Sequence, residues 1–263
     1  VVLNALQDED AQVQLLAVRA CGSIGSSAEP SITILIQMLE TSGPPLTPWI
    51  CQSLAQFGPK ANAAIQKLRE LALQDTPSAM CAIEALPALG PEAVPVIIEL
   101  YQDPANRHRA ATARALGKCG EGAANAVPIL MRDLDGTKAS QVAMATEALG
   151  NIGEPARPAL PQIKALLSDE DSRVRLRAAH ALWKLDKDRG AVMPVLLAGL
   201  QDASTFQSTV KRIAADAMAE IEPVAREARP LLNQLLSDSQ SSVRIAASNA
   251  LVRITEREHT STP

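Results

Sequence analysis

Large rings are scarce in this chain. Its 263 residues include two Trp, two Phe and one Tyr, 2% aromatic in all. A compact domain built round one core uses more of them; a core of Leu, Ile, Val and Ala instead suits thin layers of closely approaching helices. Period-two runs of β-branched and aromatic residues are missing, which argues against a β-rich fold. Apolar runs of membrane-spanning length are also missing, because Pro, Asp or Arg interrupts every one. No signal peptide is visible; the chain starts at Val1 and is expected to begin inside a larger protein.

Histidine is rare too: His108, His180 and His259, none with a second His or a Cys at metal-ligand spacing. The four cysteines, Cys21, Cys51, Cys81 and Cys119, form no close pair. They are expected to be small buried hydrophobes in a reducing compartment, which favours the cytoplasm. "GKCGEG" (117–122) lacks P-loop spacing and reads as a helix end and turn. Positive charge is not in excess. Net charge is −4, with 9 basic and 12 acidic groups in residues 1–132 and 16 and 17 in 133–263, so there is no basic footprint for phosphate backbones.

The chain is rich in self-similarity. One six-residue core recurs eight times: RACGSI, QSLAQF, EALPAL, RALGKC, EALGNI, HALWKL, DAMAEI and NALVRI. The copies end at Ile24, Phe57, Leu89, Cys119, Ile152, Leu185, Ile221 and Ile254, in steps of 33, 32, 30, 33, 33, 36 and 33. Pro95, Pro128, Pro161, Pro194 and Pro230 recur between them in steps of 33, 33, 33 and 36. One insertion near "DASTFQSTV" explains the long step in both series. Each unit is therefore two helices: helix A carries the proline, helix B the core. A proline inside helix A implies a kink or a late start.

With the last core residue as position 0, position −3 of helix B is Leu in most copies and position −4 is Ala in all but one, Ser53. These share one buried face. Position −5 is polar in all eight copies: Arg19, Gln52, Glu84, Arg114, Glu147, His180, Asp216 and Asn249. This row is expected to point away from the buried face. The richest copy is "SDEDSRVRLRAAHALWKLDKD" (168–188), where Arg173, Arg177, His180, Trp183 and Lys184 fall within one arc. Trp183 stands in a column otherwise filled by Gly22, Ala55, Pro87, Gly117, Gly150, Ala219 and Val252. An aromatic there is expected to overhang a small-residue surface, and Trp and Arg are enriched in interface hot spots. Against this, Glu147, Asp216 and Glu220 can pair with the patch inside the molecule.

Two-helix units with "D-x-x-x-x-V-R-x-x-A-A-x-A-L" leading into helix B resemble HEAT repeats, and more narrowly the short bacterial HEAT-like repeats of phycobilisome lyases. "DEDSRVRLRAAHALWKL" (169–185) carries the fullest match, then 238–254 and 8–24. The resemblance covers residues 1–255 and implies an all-α fold, an α-solenoid of about eight helix pairs, with 256–263 a polar tail that frays. It implies that B helices line a concave side, which puts the polar row there. It also implies a ladder of a turn Asp with a basic residue: Asp103 with Arg109, Asp169 with Arg175, Asp238 with Arg244, and Asp202 with Lys211.

The function expected is a non-catalytic protein–protein scaffold or adaptor. Another protein or peptide would bind along the position −5 row, with Arg173, Arg177, Trp183 and Lys184 as candidate hot spot. No catalytic, cofactor-binding or metal-ligating residues are assigned, no cofactor is expected, and nucleic acid and membrane are not expected partners. The alternatives are a bilin lyase-like or other enzyme-associated subunit and, disfavoured by charge, a nucleic-acid-binding HEAT-like protein. "VVLNALQ" reads as the last turns of a helix A, whose apolar edge would take a further repeat or a partner.

Overall fold

A computed structural model describes residues 2–41, 43, 45–203, 207–221 and 226–260, with the main chain alone at 26, 226 and 257–260. Among these residues there are helices and turns and no strand. They fall into two compact units, Val1–Ile129 and Leu130–Pro263.

In the first unit the pairs are α1 (Val2–Ala5) with α2 (Ala11–Ile24), α3 (Ser31–Thr41) with α4 (Thr47–Phe57), α5 (Ile65–Ala72) with α6 (Pro77–Ala85), and α7 (Ala93–Gln102) with α8 (Arg109–Lys118). The unit boundary falls inside α9 (Val127–Leu134). The second unit holds α10 (Ala139–Ile152), α11 (Leu160–Ala165) with α12 (Ser172–Asp186), α13 (Arg189–Leu200) with α14 (Gln207–Met218), and α15 (Arg229–Leu235) with α16 (Ser241–Thr260). Each even-numbered helix is a helix B. Within a unit it packs on its own helix A and on the helix B of the next pair. The fold is an α-solenoid, in which each layer is stabilised by its neighbours.

The proline of helix A sets a late start. Pro128, Pro161 and Pro230 stand second in α9, α11 and α15, and Pro95 third in α7. There the missing N–H is one that a first turn leaves unpaired anyway. The residues before α9, α11 and α15 form 3₁₀ turns, Gly120–Ala126, Glu154–Ala159 and Arg226–Ala228. Pro194 is the exception and lies inside α13. Pro48 likewise sits in the first turn of α4, which runs from Thr47 to Phe57.

The ends of helix B follow from one column. Gly25, Gly58, Gly90, Gly120 and Gly153 all have φ between 56° and 102°, which a side chain would resist. The sixth copy has Asp186 in that place. Its helix runs on, and Lys187 takes the left-handed conformation instead, at φ 55°. The last copy has Thr255 there, and α16 continues to Thr260. The expected fraying tail is thus helical over 256–260, while 261–263 and the side chain of His259 lie outside the described residues.

The Asp–basic ladder is built differently from expectation. Arg175 Nη1 donates to the main-chain carbonyls of Asp169 (2.7 Å) and Glu170 (3.0 Å). Arg244 Nη1 does the same to Asp238 (2.8 Å) and Ser239 (3.0 Å). Arg109 donates to the Tyr101 carbonyl and lies over its ring, 4.3 Å from the centroid. The aspartates turn inward on their own loops: Asp103, Asp169 and Asp238 each accept from the N–H two residues on. The reason is local. Helix A ends with carbonyls that lack helical partners, and the Arg six residues later is close enough to satisfy them. Lys211 reaches into the next repeat, to Asp238 at 3.4 Å with both side chains largely buried, in place of the expected pairing with Asp202.

Candidate functional site

Two columns of helix B meet at one junction in each unit, where position −5 of one copy faces position −8 of the next: Arg19 with Trp49 and Glu147 with Arg177. The chemistry placed there differs between the units.

In the second unit the meeting is Glu147 with Arg177. Arg177 Nη1 lies 2.8 Å from Glu147 Oε1, with side-chain exposures of 16% and 20%. The next junction is equally self-contained. His180 Nε2 donates to Glu220 Oε2 at 2.9 Å. That bond is the main reason the Glu220 carboxyl falls to about 2; the charges of His180 and Lys184 help, against partial burial. Lys184 Nζ reaches Asn151 Oδ1 at 2.8 Å and Glu220 Oε2 at 3.5 Å. Arg173 folds back on Asp171, Nε to Oδ1 3.0 Å and Nη2 to Oδ2 2.5 Å. Asp216 pairs with Arg212 at 3.1 Å, while burial pushes its carboxyl up.

Trp183 is not an exposed anchor. It is 4% exposed, between α12 and the end of α14, and its Nε1 donates to the Glu220 carbonyl at 3.0 Å. A buried indole needs such a partner, and the end of α14 supplies an unpaired carbonyl. Lys187 covers the other side, with Nζ 4.9 Å from the ring centroid. The column of small residues containing Trp183 marks close helix contact instead of open surface. A Cβ at Gly150 would lie 2.7 Å from Ala181 Cα, and one at Gly22 3.0 Å from Ser53 Cα. The expectation that Trp183, grouped with Arg173, Arg177 and Lys184 as hot spot, overhangs an open surface is therefore corrected: Trp183 is core, and its charged neighbours are held by partners within the chain.

In the first unit Arg19, Gln52 and Glu84 of the same row are exposed. Arg19 is exposed and lies over Trp49, 4.7 Å from the ring centroid. With Ser23, Gln52, Ser53 and Gln56 they line a cleft of about 120 Å³. Its floor is fixed by Ser53, whose Oγ donates to the Val18 carbonyl at 2.6 Å. Gln52 also borders a second cleft of about 350 Å³, with Pro48, Cys51, Ala55, Cys81, Glu84, Ala85 and Lys118. Position −8 is small here, Cys81 and Ala111, and Cys81 lies in the cleft with Gln52. Among the described residues no ion pair involves Arg19, Glu84 or Lys118. Arg114 and Asn249 complete the row and are exposed; Glu147 and His180 are half-buried. None of Trp49, Gln56 and Lys118 is among the residues expected from the sequence to bind a partner. The signal was present, since Trp49 stands at position −8 opposite Arg19, as Arg177 does opposite Glu147.

The cysteines lie in or at the edge of the core. Cys21 and Cys51 are buried, Cys81 and Cys119 half-buried. Burial pushes the thiols of Cys51 and Cys119 up to about 12 and about 11. His108 is half-buried in the turn before α8. Among the described residues no three His, Cys, Asp or Glu side chains gather as metal ligands, and no helix is long and apolar enough to cross a membrane.

No curated protein sequence matches the chain. Solved structures match its fold. The complex of CpcE and CpcF of phycocyanin lyase from Nostoc sp. PCC7120 is 22% identical over 97% of this chain and 93% of that one, with a TM-score of 0.50. Kap121p bound to Pho4p is 16% identical over 97% of this chain and 34% of that one, TM-score 0.50. The karyopherin Kap121p bound to the extreme C-terminus of the protein phosphatase Cdc14p gives 16%, 97%, 34% and 0.51. At these identities the likeness is one of fold. Models described as HEAT repeats match residues 1–87, 79–150 and 141–206, and one described as HEAT repeat matches 228–257. With most of its length matched, this chain belongs to the HEAT-repeat family.

Proposed function

We propose that the chain is a non-catalytic protein-binding scaffold whose partner lies on the B-helix face of the Val1–Ile129 unit. The observation that carries this reading is the contrast between two faces built on one plan. In the second unit Glu147 pairs with Arg177, His180 and Lys184 with Glu220, and Asp216 with Arg212. In the first unit Arg19, Trp49, Gln52, Glu84 and Lys118 border two adjoining clefts with no ion pairs among them. An exposed Arg over a half-buried Trp, beside an apolar trough, brings together residue types that dominate protein interfaces. Raised thiol pKa values at Cys51 and Cys119 fit a surface that holds a partner and does no chemistry on it. The same fold carries a partner protein in Kap121p.

Photo-crosslinking tests this. A benzophenone side chain at position 52 is expected to give an adduct with the partner, and one at position 180 none. An adduct from position 180 alone, or from neither, rejects the reading.

A further inference from the structure

The partner's chemistry can be narrowed, on the footing that the first unit's B-helix face is the binding face. We infer that this face takes an acidic, extended segment of the partner, seating a carboxylate on Arg19. The geometry of the second unit supplies the comparison. There the position −5/−8 meeting is a carboxylate on a guanidinium, Glu147 on Arg177 at 2.8 Å, both furnished by the chain. In the first unit the guanidinium is present and the carboxylate is not. Arg19 lies over Trp49, 4.7 Å from the ring centroid, and no carboxylate among the described residues pairs with it. Stacking holds a guanidinium by its face and leaves its edge to donate, which suits bidentate recognition of a carboxylate.

The surroundings favour the same ligand. Gln52 and Gln56 add amide donors on the cleft wall. The Gln56 amide is itself positioned, lying against Gly22 where a Cβ would come within 1.9 Å of its Oε1. The adjoining cleft has apolar walls at Pro48, Ala55 and Ala85 and a second cation, Lys118, that makes no ion pair among the described residues. Glu84 is the one anion there, and it disfavours an acidic side chain midway. The segment that fits therefore has carboxylates toward its ends and small apolar or amide side chains between them.

Fluorescence anisotropy with labelled octapeptides tests this on the whole chain. The probe is Glu-Glu-Leu-Ala-Gln-Leu-Glu-Glu; the controls replace every Glu by Gln or by Lys. The acidic peptide is expected to bind about tenfold or more tightly than the Gln peptide, a gap of about 1.4 kcal/mol or more. The gap should narrow between about 50 mM and about 300 mM salt. Arg19→Glu should remove the preference, while Arg173→Glu leaves it within about twofold. Circular dichroism confirms that the exposed-site variants are folded. Equal binding of acidic and Gln peptides, tighter binding of the Lys peptide, or indifference to Arg19→Glu overturns the proposal. If Trp49→Ala still weakens every peptide in those cases, the face binds peptides and only the acidic class is wrong. An absent adduct at position 52 is what removes the face itself.

Discussion

Replacing Trp183 by Ala separates two views of this residue sharply. An exposed side chain in a variable column would change stability by no more than about 0.5 kcal/mol when truncated. The structure has it 4% exposed, wedged between α12 and α14, with Nε1 bonded to the Glu220 carbonyl and Lys187 over its ring. Truncating a buried Trp costs about 3–5 kcal/mol, because the site collapses incompletely. The lost N–H bond is about 1 kcal/mol of that and the cation–π contact about 0.5–1 kcal/mol. Trp183→Phe keeps much of the ring and loses the donor, so about 1–3 kcal/mol is expected from an unpaired carbonyl and a small void. Urea unfolding followed by far-UV circular dichroism measures both. Trp49 is then the one tryptophan left, since the chain has two, so its fluorescence reports the first unit separately. The Trp183→Ala chain should show an early loss of ellipticity that Trp49 fluorescence does not follow, as nearest-neighbour stabilisation requires. A stability within about 0.5 kcal/mol of the unaltered chain would refute the buried wedge.

Two other predictions test the same junctions. Glu220 titrates at about 2 in the folded chain against its ordinary 4.5, so the stability it contributes is fully present above pH 4.5 and is lost as pH falls toward 2. Glu220→Gln should therefore flatten the acid limb of a stability–pH profile in that window, and an unchanged limb would show that His180 does not hold it. Gly150→Ala should destabilise by about 1–3 kcal/mol in urea unfolding, despite the better helix propensity of Ala, because the added methyl meets the main chain of α12.

How much of this was legible in the sequence depended on what the repeat could calibrate. Eight copies of one core set the helix B positions, and the recurring prolines placed the late starts of helix A, because both obey local backbone rules. Where a copy departed from the rule, the boundary moved: Asp186 for Gly carried α12 on to Lys187, and Thr255 let α16 run to Thr260. The surface was harder to read. Residues such as Gly150 looked like open ground because they are small, yet they are small because the next helix touches them. Trp183 is buried in that column because the end of α14 packs over it. The pairs Glu147–Arg177 and Lys184–Glu220 join adjacent copies, so a single copy could not reveal them. Charge density therefore pointed to a repeat whose charges are paired within the chain, and the sparser surface at Arg19 and Trp49 stood out only once partners were assigned.

The most direct test compares two double variants against one partner. Calorimetric titration with the recovered partner protein should show at least about tenfold weaker binding for Arg19→Ala/Trp49→Ala and a change within about twofold for Arg173→Ala/Lys184→Ala. The reverse pattern, with the second pair weakening binding and the first leaving it intact, would contradict the assignment of the binding face to the Val1–Ile129 unit.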